Sequence, residues 1–487
     1  MSFRTLILTE NATRAGEGST AAETAASQTC VKYYEQSVAV VCHSIRLQTK
    51  LGSAKAGIVK MSVPAIFVSP TTENGYGTSG GPVTPEAARR IVVENIDVVS
   101  GTETVPLHAS VGRIAAEDLL SAVALPGFDN AAVDGFGIHA DDHNLPIPLT
   151  LSIVERVPAR ANVNALSRSG TALRILTGAK VPAGIGSVVF ERRTTRRGNK
   201  ITLNELPESG ANIRRRGEDV TPGTIVVSKG TTLDARQIAI LAAAGITRTP
   251  VTRRLRVGIL SRGSELVDGN CEPDSGGTVG TNRSMLLALL ASPSIETIDL
   301  RVADTQTAIS AALRDGAKHL DLLIMSAGIA GNDRDRLEPA FRAAGGICQS
   351  LKLALRPGKP LAKGRIGRMH VLALPENPVA AFVNYLLFGR PMIRRLLGAT
   401  DAGRAISYAR VAEAFRHKAG RTEIVPACIV GHGLDGLPRI RKLDRGGSAR
   451  LLPLVVADGF AEIGPGIGDV PPDGLLRFHP FVTSFTL

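Results

Sequence analysis

The sequence predicts a multidomain chain of α/β and β type. A helical domain with a β-rich insert comes first, then an α/β domain on a parallel sheet, then a small barrel or sandwich. Three observations carry this. Mostly apolar runs at Leu255–Leu260, Asp321–Met325 and Val371–Leu374 alternate with helical stretches, as strands covered on both faces do. Short strand-like runs fill residues 138–220, and again 408–487 between Gly- and Pro-rich turns. The 487 residues suffice for three or four units of roughly 100–200 residues each.

The first 82 residues are rich in Ser, Thr and Gly and end in a linker-like stretch, Ser69–Gly75 followed by Gly80-Gly81-Pro82. They are expected to form a disordered or weakly structured leader, and Met61 is a second candidate start. Thr84 and Pro85 then open a helix as N-cap and first helical residue. Val105–Leu120 reads as a second, mostly helical stretch. Leu149–Glu155 alternates with period two, and Ser187–Phe190 and Lys200–Leu203 are further strands. Ala235–Ala244 and Asn282–Leu290 read as helices. Asp304 is placed to cap a helix over Thr305–Lys318, and Asn377-Pro378 a long amphipathic helix towards Leu397. The units expected are 1–82 (leader), 83–137 with 221–252 (helical, discontinuous), 138–220 (β insert), 253–398 (α/β) and 399–487 (β).

Composition narrows function. A hydrophobic content of 44% with 21% charged residues excludes wholesale disorder. The net charge of +13 favours small anionic partners. Only 4% of residues are aromatic and none is Trp, against the stacking platforms of nucleic-acid binders. Five scattered cysteines without a C-x-x-C pair exclude a disulfide framework and a zinc ribbon, and fit a reducing compartment. No run of 18 uncharged apolar residues spans a membrane, and the first 30 residues contain acids and no apolar signal core. A cytoplasmic protein that binds neither nucleic acid nor membrane is expected.

Ligands of open α/β sheets bind beyond the carboxyl ends of the strands. Three loops leave such ends: Ser261–Leu266, Ser326–Asp335 and Pro375–Pro378. Their glycines allow close backbone approach to phosphate, and they carry Glu265, Asp333 and Asp335; each alone also reads as an ordinary turn. Arg356-Pro357-Gly358-Lys359-Pro360 is a rigid basic turn, with a proline on either side of the lysine. Phe128–Phe136 places Asp129 and Asp134 around small residues, and Asp129-Asn130 also fits an Asx turn. Arg214–Asp219 combines three cations with two anions, the pattern of a solvated loop.

In this order the segments resemble the molybdopterin molybdenumtransferase family, which comprises the bacterial MoeA proteins and the gephyrin E-domain. Phe128–Gly137 resembles its FDNSAMDGYA run, Arg174–Pro182 its RIxTGAxVP motif and Asn212–Asp219 its NxRxxGED motif. Ser261–Leu266 resembles STGDEL, Ser326–Asp335 resembles SGGVSxGxxD, Pro357–Pro360 keeps PGKP and Leu374–Pro378 resembles LPGNP. A GSxxL…ADG pattern runs from Gly447 to Gly459, and the likeness covers residues 84–487. The resemblance implies an elongated homodimer with a helical domain I, a β insert as domain II, an α/β molybdopterin-binding domain III and a β barrel as domain IV. It implies molybdenum cofactor biosynthesis: molybdenum from molybdate enters adenylylated molybdopterin, AMP is released, and a divalent cation, Mg2+, assists. A molybdopterin adenylyltransferase is an implied partner. By position, Glu265, Asp304 and Asp335 would form the metal's acidic cluster, with hard oxygens suited to magnesium. Lys359, Arg356 and Arg216 would meet phosphate or molybdate. Asp134, Thr177 and Asp219 would complete the pocket from the facing subunit. Ser261, Thr281, Asn282, Ser326, Gly328, Pro375, Asn377 and Pro378 would line the pterin or phosphate site.

The sequence departs from the family pattern. Arg262 and Ser264 replace Thr and Asp, Ala327 and Asn332 replace glycines, Gly280 replaces an Asp, Ala131 a Ser, and Glu376 the glycine of LPGNP. Glu376 adds a charge that repels an anion and disfavours positive φ. The alternative this raises is a catalytically impaired molybdopterin-binding or scaffold homologue.

Overall fold

The computed structural model describes residues 81–158, 167–262, 266–267, 278–302, 305–326, 337–400, 407–443 and 450–481. All belong to one compact unit, Gly75–Leu487. The expected leader, apart from residues 81–82, lies outside the described residues, as do Glu265, Asp304, Gly328, Asp333 and Asp335.

The first helix among the described residues is Pro85–Val93, with the Thr84 hydroxyl accepting from the Ala87 amide at 3.2 Å. The helical expectation for Val105–Leu120 fails. Thr102–Pro106 is a strand paired antiparallel with Arg248–Thr252, Leu107–Ser110 a short 3-10 turn, and Leu119–Leu120 a strand paired with Ile225–Val227. Pro106 donates no ladder bond and Gly112 sits at φ +75°, so no helix propagates here. β-branched Thr102, Thr104 and Val105 instead find partners some 150 residues away. This part therefore holds only two α-helices among the described residues, Pro85–Val93 and Ala235–Ala243, within a frame of short strands.

The insert is a six-stranded sheet ordered Ile185–Phe190, Gly135–His139, Thr171–Ile175, Leu149–Val157, Lys200–Leu203, Thr195–Arg197. Gly135 fits only because it has no side chain: a Cβ there would lie 1.9 Å from the Val189 carbonyl oxygen.

Ile295–Val302, Leu255–Arg262, Leu322–Ser326 and Met369–Leu374 form the parallel part of a second six-stranded sheet. Both faces are covered. Leu322 and Ile324 enter one apolar cluster, while Leu323 and Met325 enter another with Ile309, Leu313 and Phe341. The sheet is not purely parallel, since Pro360–Ile366 and Ile347–Lys352 add antiparallel strands. The hairpin at Gly367-Arg368, with Gly367 at φ +56°, makes that reversal possible. The helix after Val302 spans Gln306–Gly316 and its cap is Thr305, not Asp304: the Thr305 hydroxyl accepts from Ala308 N at 3.2 Å.

Thr422–His432, Pro438–Lys442, Ser407–Val411, Leu475–Pro480 and Gly459–Ile463 close into a five-stranded barrel, because the last pairs back onto the first. Its interior holds Val411, Phe415, Val425, Ile440, Leu476 and Phe478. Among the described residues no helix is long and apolar enough to cross a membrane.

Candidate active site

Parallel pairing puts Ser261, Ser326 and Leu374 side by side at the carboxyl edge of the α/β sheet. Asn282, in the first turn of the helix Thr281–Leu289, ties this edge together. Its Nδ2 donates to Ser326 Oγ at 2.7 Å, the Glu376 carbonyl at 2.7 Å and the Pro375 carbonyl at 3.4 Å. Asn377 caps the helix Pro378–Asn384, its Oδ1 accepting from Ala380 N at 3.0 Å, and Pro378 takes the first helical position. So Ser261, Ser326, Asn282, Pro375, Asn377 and Pro378 converge, with Thr281 starting the adjacent helix. Glu376 is exposed, and it is absent from the non-glycine residues with positive φ, which are Asn95, Asn212 and Asp473 among the described residues. The conformational cost expected for this departure therefore does not arise. The loops that would carry Glu265, Asp304 and Asp335 follow Arg262, Val302 and Ser326, ends of three neighbouring parallel strands. Their side chains fall outside the described residues.

The basic turn links the barrel sheet to the α/β sheet. Leu355–Arg356 pairs parallel with Thr422–Glu423, and Pro360 begins the next strand. The Arg356 guanidinium lies 3.7 Å from the carboxylate of Glu423, which is 5% exposed and has Lys442 Nζ at 3.6 Å and His417 Nε2 at 3.7 Å. Lys359 is exposed and has no ion-pair partner among the described residues. Asn384 supports the turn from below, donating from Nδ2 to the Gly358 and Pro360 carbonyls at 3.2 and 3.1 Å. Sequence reasoning missed Asn384 and Glu423. Asn384 carries one signal, a polar side chain inside an apolar run, Val383-Asn384-Tyr385, whereas Glu423, preceded by Arg421-Thr422, carries none.

Asp134, Thr177 and Asp219 belong to the insert and its flanks. Asp134 Oδ1 accepts from the Thr177 hydroxyl at 2.6 Å and the Thr177 amide at 2.7 Å. Those two bonds, the hydroxyl's first, hold the exposed Asp134 carboxyl below the usual range. Asp129 forms no Asx turn: it accepts from the Arg216 amide and the Arg215 guanidinium, each at 2.8 Å. These contacts, the amide's first, depress its pKa and fasten the 128–136 run to the arginine loop. Arg214 pairs with Glu218 at 2.9 Å, so Arg216 is the member of the triplet with no ion pair among the described residues. Asp219 lines a cavity of ≈ 430 Å³ with Leu125, Pro126, Arg214, Arg236, Ala239, Ile240 and Ala243. Asp134 and Thr177 form one pair, then, and Asp219 lines a separate wall.

The chemistry available is anion binding by fixed cations and backbone amides, beside carboxylates held ionised. Comparison with known proteins agrees in extent and order. Residues 83–245 match the MoeA N-terminal region (domain I and II), 258–395 a probable molybdopterin binding domain, and 408–472 the MoeA C-terminal region (domain IV). A molybdopterin molybdenumtransferase of Haemophilus influenzae is 34% identical over 318 residues, covering 65% of this chain and 78% of that protein. Molybdopterin molybdenumtransferase 2 of Mycobacterium tuberculosis is 33% identical over 308 residues, covering 61% and 76%. The crystal structure of a molybdopterin biosynthesis MoeA protein from Pyrococcus horikoshii superposes with a TM-score of 0.69 at 26% identity, covering 82% of this chain and all of that one. With its carboxyl-edge site inside the region matched to a molybdopterin binding domain, the chain belongs to the molybdopterin molybdenumtransferase family.

Proposed function

We propose that the chain is a molybdopterin molybdenumtransferase of molybdenum cofactor biosynthesis. It takes adenylylated molybdopterin and molybdate, places molybdenum between the dithiolene sulfurs and releases AMP. One observation carries this reading: the carboxyl edge where Ser326, Pro375 and Glu376 are joined through Asn282, with Ser261 paired beside Ser326 and Lys359 exposed in its rigid turn. The substrates are all anionic, so the barrier is their mutual repulsion, and the exposed cations Lys359 and Arg216 offset it, while Arg356 faces Glu423.

Magnesium is part of the proposal. Among the described residues no group of three or more His, Cys, Asp or Glu could hold a metal. The metal reading thus rests on Glu265, Asp304 and Asp335, hard oxygen donors on loops that leave one sheet edge, a donor type that suits magnesium. When bound, the ion neutralises phosphate charge. Asp134, Thr177 and Asp219 complete the pocket from the facing subunit of a homodimer. A molybdopterin adenylyltransferase supplies the adenylylated substrate, in the cytoplasm.

The test is AMP release and cofactor formation by the purified full chain with adenylylated molybdopterin, molybdate and magnesium. Turnover that Lys359→Ala reduces supports the assignment. Tight pterin binding without AMP release would establish the impaired homologue that Glu376 suggests, and overturn it.

A further inference from the structure

We propose that Asn384 is a positioning residue for Lys359, a role that rests on reading Lys359 as the contact for an anionic substrate. Lys359 stands in a turn whose three successive carbonyls are all held. Asn384 Nδ2 binds the carbonyls of Gly358 and Pro360 at 3.2 and 3.1 Å, and the Leu353 amide binds that of Lys359 at 2.7 Å. Pro357 and Pro360 fix φ on either side. Nothing in the backbone of this turn can shift without breaking one of these bonds, so the lysine stem leaves from a fixed point.

The packing is specific to this pair. Gly358 sits at φ +108°, and a Cβ there would lie 2.3 Å from Asn384 Oδ1. The asparagine carboxamide thus occupies the space that the missing side chain leaves, against the peptide preceding Lys359. Asn384 is fully buried, yet its Oδ1 finds no hydrogen-bond partner. A buried acceptor left unmatched opposes folding. Stability alone would favour an apolar residue at this point of an apolar helix, so what the asparagine supplies is the fixed geometry of the turn.

The experiment uses the full chain and four forms: wild type, Asn384→Leu, Lys359→Ala and the double variant. Turnover is measured against molybdate and adenylylated molybdopterin separately. Asn384→Leu is expected to lower kcat/KM by about 10- to 100-fold, on the same substrate that Lys359→Ala affects. In the Lys359→Ala background the further loss shrinks to less than about twofold, because the group being positioned is gone. Hydrogen exchange at the Leu353 amide, which reports on its bond to Lys359, accelerates in Asn384→Leu. Multiplying losses, or a loss confined to the other substrate, would overturn the proposal. Full activity of Lys359→Ala would instead sink the reading of Lys359 itself. Should Asn384→Leu fail to fold, Asn384→Ser removes the same carboxamide with less bulk and is judged by the same criteria.

Discussion

Replacing His370 with leucine removes a titration that sets how the fold responds to acid. His370 lies in the central strand Met369–Leu374, is 5% exposed, and its Nδ1 has no hydrogen-bond partner. Burial first, then the Arg365 and Lys363 cations, push its pKa down to about 4, against a weaker opposite pull from Asp97. The unfolded ring protonates near pH 6.5. Between those values the unfolded state binds more protons than the folded one, so stability falls as pH falls. Integrating that linkage from pH 7 to pH 5 gives a loss of about 2 kcal/mol attributable to this residue. Every other titrating group is shared with His370→Leu, so the difference between the two proteins isolates the ring. Urea unfolding at both pH values is the assay. Wild type should lose about 2 kcal/mol more than the variant on acidification. Equal losses would refute the buried neutral imidazole. His370 pairs with Leu322, whereas Leu374 pairs with Ser326 at the far end of the same strands, so turnover at pH 7 should be unchanged.

Two further predictions probe the site. Asn282→Ala leaves the Ser326 hydroxyl and two carbonyls without their donor, which should cost about 2 kcal/mol in urea unfolding and weaken pterin binding; unchanged stability would mean the carboxyl edge is not tied through this side chain. Thr177→Val removes the stronger of the two bonds on Asp134, so the Asp134 carboxyl should titrate at higher pH, seen in its side-chain carbon NMR shift; a static titration would refute the pairing.

What the sequence makes legible follows from range. The parallel strands could be read because their side chains face two apolar layers, which forces continuous apolar runs such as Leu322–Met325. The caps at Thr84 and Asn377 could be read because the bond spans three residues, as it also does at Thr305. Val105–Leu120 could not, because its strands are chosen by partners at 225–227 and 248–252. The same holds for Asn384 and Glu423. Asn384 meets the lysine turn 26 residues before it, and Glu423 meets Arg356 only through barrel pairing. The site motifs were visible as residues, but the groups that hold them belong to other elements.

The basic turn shows why a fixed geometry is needed there. Arg356 ends a short strand on the barrel sheet and Pro360 begins a strand of the α/β sheet, so the chain changes sheets across three residues. Barrel and sheet are already packed together, with Phe382 on Phe460 at 5.7 Å between ring centroids, but a flexible turn would still deprive Lys359 of a fixed origin. Three features oppose this: the two prolines, the Asn384 carboxamide, and buried Glu423 with Arg356, Lys442 and His417 around it. Arg356 already faces that carboxylate, which weakens its own pull on an incoming anion and makes it the tether. Lys359, exposed and unpaired among the described residues, is left as the turn's freely presented cation. Two adjacent cations of one motif thus divide the work. One fixes the joint between two sheets, and the other reaches into solvent from it.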